Sequence, residues 1–284
     1  MSTAHAPGTR IRPGAAASVT VKYVSLIIGV LVTVLPLTVV FIASFKSSSE
    51  FGQTGPFELP ANWFNFENYV QAFQKGGMVE GFVNTTIVLA VSLVGTIIIG
   101  TMAAYAIDRF GFRGKKLVVG LFLVATLIPG VTSQVATFQV INGLGLYNSK
   151  FALILLFMGT DIISIYIFIQ FMQSIPVSID EAAMIDGANR WTIYWRVILP
   201  LLKPAIATVV IVKGIAIYNE FYLPFLYLPS EHLISTSLFR FKGPFGAHWE
   251  IIAAGTVLVI IPTLIAFLFL QRFIYRGFTS GAVK

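Results

Sequence analysis

Six apolar runs, residues 23–45, 85–107, 117–140, 151–172, 204–226 and 251–273, dominate this chain. Each approaches or exceeds the roughly 20 residues that a helix needs to cross bilayer hydrocarbon. In lipid every backbone N–H and C=O must be satisfied within the protein, so only helices and closed barrels span. These runs lack the inward/outward alternation of a barrel strand. The expected fold is therefore all-α: a polytopic membrane protein with six transmembrane helices. Composition agrees, since only 11% of residues are charged where soluble proteins average about 25%. Too little polar surface remains to coat a soluble globule.

The first run is too long for the core of a signal peptide and has no convincing cleavage site, so it is expected to be retained. Residues 1–22, rich in Ala, Gly and Pro without an acidic residue, read as a flexible tail. Residues 23–284 form the membrane domain, with a cytoplasmic loop at 173–203 and a cytoplasmic C-terminal tail at 274–284.

Net charge is +7, but the cations sit in short stretches between apolar runs. That is the pattern of membrane orientation, and it excludes a nucleic-acid-binding face as the reason for the charge. With the termini inside, the inner segments hold Arg10, Arg12, Lys22, Arg109, Arg113, Lys115, Lys116, Arg190, Arg196, Lys203, Arg272, Arg276 and Lys284. The outer ones hold only Lys46, Lys75, Lys150, Arg240 and Lys242. Inner cations thus outnumber outer ones, so both termini are expected in the cytoplasm. Cysteine is absent and the three histidines fit no metal motif, which excludes disulfides and thiolate metal sites.

The inner segment between the fourth and fifth runs has a pattern of its own. Ser178-Ile-Asp-Glu181 reads as a capping box, followed by a short helix through Ile185. Gly187 is available for a backbone turn that other residues resist. A second helical stretch, residues 190–199, is expected to end at Pro200. From physics alone this helix–turn–helix is either a docking surface or a plain amphipathic connector.

Glu181-Ala-Ala-x-x-Asp186-Gly187-Ala, followed by Ile198-Leu-Pro200, resembles the EAA loop of binding-protein-dependent ABC importer permeases. The flanking Trp191-x-x-Tyr-Trp-Arg-Val-Ile-Leu-Pro-Leu-Leu-Lys-Pro is similar to the carbohydrate branch. So are Leu59-Pro60 with Phe66-Glu-Asn-Tyr69, Ala103-Ala-Tyr105 through Arg113-Gly-Lys, Leu144-Gly-Leu146-Tyr-Asn148, and Asn219-Glu220-Phe221. The end of the chain, Gly277 onward, resembles the MalG-like member of the permease pair. The ordered set covers nearly the whole chain.

The resemblance implies a type I ABC importer permease fold, forming half of a heterodimeric pore in a bacterial inner membrane. It implies that Glu181, Ala182, Ala183, Asp186 and Gly187 dock on a nucleotide-binding subunit, with the C-terminal tail reaching between two such subunits. A second six-span permease, an extracytoplasmic solute-binding protein and a sugar substrate are the other implied partners. The chain has no Gly-x-x-x-x-Gly-Lys-[Ser/Thr] phosphate loop, and residues 111–116 do not supply one. It is therefore not expected to be an enzyme or to hold a cofactor; ATP and Mg belong on the partner subunits.

Ionisable residues inside a span cost roughly 2.5–3.5 kcal/mol on insertion scales and usually meet a partner or a cavity. Three stand out: Asp161, Lys213 and Glu220. Counted from the inner ends of their spans, Asp161 and Lys213 reach similar depth, about 3 Å apart at roughly 1.5 Å per residue. They are expected either to pair or to face the aqueous path separately. Asn219 and Glu220 are either interfacial or, as the resemblance implies, part of a gate. Gln134, with Gln139, Asn142 and Gln170, either bonds between helices or lines a polar path. Tyr218 stands where the family more often has Trp, and Val135-Ala-Thr137-Phe138 departs from its Ile-Pro-Leu. Pro36, Pro129 and Pro262 are expected to kink their spans. A self-sufficient proton-coupled transporter is the competing reading, suggested by Asp161 and Glu220. It predicts internal repeats carrying the site, which the sequence does not show.

Overall fold

The computed structural model describes the backbone of residues 13–282 except Thr160 and Phe245, and side chains from Val19 to Gln271 except those two and Leu270. Helix α1 runs Pro13–Ala43, so helix already occupies residues 13–22, which were read as tail. After it follow α2, Ser48–Gln53, and α3, Glu67–Lys75. The second span is α4, Met78–Arg109. Then come α5, Lys115–Leu127, and α6, Gln134–Gly143. Next are α7, Lys150–Gly159, and α8, Ile162–Gln173. The inner segment holds α9, Val177–Ile185; α10, Arg190–Ile193; a π-helical turn, Tyr194–Ile198; and α11, Leu199–Leu201. Helix α12, Lys203–Asn219, climbs back, followed by the short α13, Tyr222–Tyr227, and α14, Ile234–Ser237. A small hairpin of β1, Lys242–Gly243, and β2, Gly246–Ala247, precedes α15, Trp249–Ala282. The backbone of residues 274–282, read as a tail, is thus helical.

Among the described residues, the expected six spans appear as three unbroken helices of sufficient length and apolarity, in α1, α4 and α15. Two more arise only if bent pairs count as one: α7 with α8, bent 41°, and the Arg190–Leu201 helix with α12, bent 69°. The run at 117–140 is not one helix. It splits into α5 and α6, because Pro129, with Gly130 after it, cannot continue the ladder. Pro129 ends a helix instead of kinking one, whereas Pro36 and Pro262 lie inside α1 and α15. The fifth run likewise stops at Asn219, before α13.

Helix α4 is the hub, packed against α7 and α8 on one side and α12 on another. A Cβ on Gly100 would stand 2.9 Å from the Phe168 ring, so glycine there permits the close approach of α4 and α8. An inner apolar cluster joins Tyr105 and Ile107 of α4 to Phe168 and Met172 of α8 and to Ile193, Tyr194 and Ile198. A second cluster gathers Val88, Leu153, Phe157, Ile217 and Tyr227.

The loop between α1 and α4 is ordered by its own polar groups. Ser47 caps α2 in a reciprocal box with Glu50, and the other Glu50 oxygen accepts from the Ala61 N–H at 2.9 Å. Those bonds, the Ser47 N–H first, hold the Glu50 carboxyl below the usual carboxylate range. Buried Lys46 donates to Thr54 Oγ1 and the Gly55 carbonyl at 2.8 and 2.7 Å. Asn68 of α3 donates to the carbonyls of Ser44 and Lys46, tying the loop to the end of α1.

Candidate functional site

The segment between α8 and α12 shows how sequence shapes an exposed turn. Helix α9 begins one residue before the expected box: Pro176 is its N-cap and no side chain caps it. Ser178 therefore lies inside the helix, and the expected Ser178–Glu181 capping box does not form. The N-cap position passes to a proline, which has no N–H to leave unsatisfied and whose extended ψ of 136° opens the helix.

The turn after α9 is the expected one. Gly187 takes φ +84°, with Ala188 N–H bonding the Ala183 carbonyl and Gly187 N–H the Met184 carbonyl, each at 3.0 Å. This paired closure is a Schellman motif, which places a left-handed residue where glycine is favoured. Asn189 then caps α10 by accepting from the Thr192 N–H at 2.8 Å. The second helix ends at Leu201, one residue past the expected stop at Pro200. A π turn precedes the proline, where Leu199 N–H reaches the Tyr194 carbonyl. The wider turn accommodates a residue with no N–H and a ring that crowds the preceding turn.

Glu181, Ala182, Asp186 and Gly187 are exposed on the turn, and Ala183 packs inward against the apolar cluster. Ile185, 86% exposed, belongs to the same surface and was not singled out from sequence. Its signal was an isoleucine on the outward side of a short helix. Behind that surface lies a second feature that local pattern could not reveal. Arg109, at the end of α4, reaches Asp180 of α9 at 3.1 Å and Asp108 at 2.6 Å, and donates to the Ile175 carbonyl at 2.8 Å.

The embedded charges behave differently from one another. Lys213 Nζ stands 3.4 Å from Asp161 Oδ2, so the two do pair, as their matched depth allowed. Asp161 occupies the break between α7 and α8, and Ser164 Oγ donates to the same carboxylate. Glu220 instead accepts from the N–H groups of Tyr222 and Leu223 at 2.9 and 3.1 Å, satisfying the start of α13. Asn219 donates back into its own helix, to the Ile215 carbonyl. Gln134, at the start of α6, accepts from the Tyr227 hydroxyl at 3.0 Å. Gln134 and Glu220 thus hold the two ends of α13 and form no hydrogen bond or ion pair with Asp161 or Lys213 among the described residues.

An apolar cavity of about 290 Å³ opens between α4, α12 and α15, beside Leu93, Gly214, Tyr218 and Pro262. Where the α6–α7 link meets the link after α13, Asn148 and Ser230 exchange two hydrogen bonds, and Lys150 meets Glu231 at 2.8 Å. The His232 imidazole there is held below its ordinary value, first by burial and then by Arg240.

Long apolar helices around an embedded ion pair, with a turn-built surface at one end, are the arrangement of a multi-pass membrane protein. Residues 96–280 match the family described as "Binding-protein-dependent transport system inner membrane component". That match covers more than half of the chain, and the chain belongs to this family. It is 32% identical to the probable ABC transporter permease protein YurM of Bacillus subtilis, over 88% of this chain and 83% of that one. It is 28% identical to the diacetylchitobiose uptake system permease protein NgcG of Streptomyces coelicolor, over 93% and 88% of the two chains. A chain in the crystal structure of a bacterial ABC transporter that imports the acidic polysaccharide alginate shares the fold. There the TM-score is 0.78 at 22% identity, covering 93% of this chain and 99% of the other. The chain is a permease subunit of a binding-protein-dependent importer, and the competing secondary-transporter reading falls away.

Proposed function

We propose that the chain forms half of a heterodimeric pore for a carbohydrate, with a second six-span permease supplying the other half. Two nucleotide-binding subunits on the cytoplasmic side hold ATP and Mg and perform the hydrolysis, while this chain carries out no bond-breaking chemistry. An extracytoplasmic solute-binding protein delivers the sugar. Both termini lie in the cytoplasm, following the inner excess of Lys and Arg, and the C-terminal segment reaches between the ATPase subunits. The observation that carries the reading is the α9–Gly187–α10 turn, which leaves Glu181, Ala182, Asp186 and Gly187 open to a partner. The named uptake functions of the relatives supply the substrate class, and the membrane-embedded Asp161–Lys213 pair, with Asn219, Glu220 and Gln134, belongs to the path or its gate.

Reconstitution in liposomes tests the proposal. The chain, its genomic permease and ATPase neighbours and the neighbouring binding protein are expected to accumulate labelled oligosaccharide only with ATP inside the cytoplasmic compartment. Uptake by this chain alone, or without the binding protein, defeats it.

The outer loop is expected to meet the binding protein. This loop, residues 228–249, includes the β1–β2 hairpin, and its Phe239 packs on Phe225 of α13 at 4.9 Å between ring centroids. Shortening residues 239–246 should lower uptake at least fivefold while the complex still assembles. Unchanged stimulation of ATP hydrolysis by loaded binding protein counts against this contact.

A further inference from the structure

The coupling surface is fastened to the membrane domain by a charged contact that the family resemblance does not assign. Arg109 is the last residue of α4, yet its side chain is only 3% exposed. Its guanidinium touches α9 at two points: the Asp180 carboxylate, 1% exposed, and the carbonyl of Ile175 just before the helix. Asp108 neutralises the same cation from the side. Neither Asp180 carboxylate oxygen nor Arg109 Nε has a hydrogen-bond partner among the described residues, so the 3.1 Å contact between them is an ion pair, and Arg109 is what compensates the carboxylate's charge. Arg190, opening α10, lies over the Phe110 ring at 5.4 Å and brings the second inner helix to the same end of α4.

The surrounding apolar cluster attracts without direction. Sliding a buried ion pair leaves an uncompensated charge in a poorly polar setting. A guanidinium that hydrogen-bonds the Ile175 carbonyl and is ion-paired with Asp180 fixes the start of α9 against the end of α4 at two points.

We infer that Arg109 and Asp180 form a latch that makes α9 and the inner end of α4 one rigid body, so that displacement of the coupling surface is passed directly to the second span. This rests on the docking role proposed for α9. Arg109 and Asp180 are positioning residues: neither touches the ATPase subunit or the sugar.

The chain contains no cysteine, so spin labels can be placed cleanly in a complex whose other subunits are cysteine-free. Ala106 of α4 and Val177 of α9 are exposed and serve as label sites after Ala106→Cys and Val177→Cys. Pulsed EPR should give one narrow distance, the same with and without ATP. Asp180→Asn should broaden it and lower the sugar moved per ATP hydrolysed at least tenfold, with the ATPase subunit still copurifying. The exchange Arg109→Asp with Asp180→Arg should narrow the distribution again and restore at least half of the transport. An ATP-dependent shift in the otherwise unaltered complex overturns the latch, as does Asp180→Asn with parental transport per ATP. If Asp180→Asn does not accumulate, Arg109→Lys keeps the charge and loses the guanidinium. It should show the same broadening, and a parental distance with parental transport refutes the proposal. Failure of the docking reading itself appears separately, as unimpaired ATPase copurification and transport in Glu181→Lys.

Discussion

Gly187→Val is expected to leave the protein inserted in the membrane at normal level and to reduce uptake to background. The residue sits at φ +84°, and no atom would lie within 4 Å of an added Cβ. The penalty is therefore one of backbone conformation, about 1–2 kcal/mol for an ordinary L-residue in this region and more for a β-branched one. Such a sum does not unfold a bundle of long apolar helices. It does favour opening the Schellman closure, which re-aims Glu181 and Asp186 relative to α10. Glu181→Lys provides the complementary test, since Glu181 is exposed and forms no ion pair among the described residues. Reversal there leaves the chain's own fold intact and opposes only a partner. Copurification of the ATPase subunit and uptake in vesicles measure both variants. Assembly and transport at parental levels in both would remove α9 from the coupling role.

The second large effect is expected within the membrane. Asp161 and Lys213 are 12% and 18% exposed at 3.4 Å, so each depends on the other for compensation. Removing one partner of a buried pair typically costs roughly 3–5 kcal/mol, whereas replacing both by apolar residues is often neutral. Asp161→Asn is expected to lower the thermal stability of the detergent-solubilised protein markedly, by stranding the lysine. Asp161→Leu combined with Lys213→Leu should recover most of that loss. If the double variant is as unstable as the two single Leu variants added together, the pair contributes no coupling energy. Uptake by the recovered double variant then distinguishes a fixed brace, where transport survives, from a bridge exchanged during gating, where it does not.

The features legible in the sequence were those with short-range causes. Apolar runs located the membrane helices, and Gly187 announced its turn because few other residues accept that conformation. Depth counting brought Asp161 and Lys213 together, because helical rise is constant across neighbouring spans. Local rules that compete were harder to read. Ser178 offered a capping box, but Pro176 started the helix first. Pro200 read as a terminator, but the π turn at residues 194–198 carried the helix past it. Hydropathy merged α5 and α6 into one run because Ile128 and Val131 are as apolar as their neighbours, although Pro129 and Gly130 break the helix between them. Glu220 drew attention as an intramembrane charge, and its bonds show a helix cap. The Arg109–Asp180 contact had no sequence signal, since 71 positions separate its members and only the fold makes them neighbours.

That break between α5 and α6 bears on where water enters the molecule. Between Leu127 and Gln134 the ordinary helical ladder lapses, and only short turn bonds such as Thr132 N–H to the Pro129 carbonyl remain. The Thr132 and Ser133 hydroxyls fold back onto the carbonyls of Pro129 and Gly130. The stretch begins about 20 Å up from Lys115 at helical rise, which falls within the roughly 30 Å of hydrocarbon if the run at 117–140 crosses as its hydropathy predicts. Leu127, Val131 and Val135 are each more than 70% exposed in the single chain. Acyl chains can cover such side chains, but they offer nothing to the peptide groups left over, and irregular backbone is not tolerated against lipid. This edge must therefore be wetted or covered by another polypeptide. The isolated chain accordingly has one flank that the bilayer cannot solvate, and closing that flank gives the subunit a reason to assemble that owes nothing to the coupling surface.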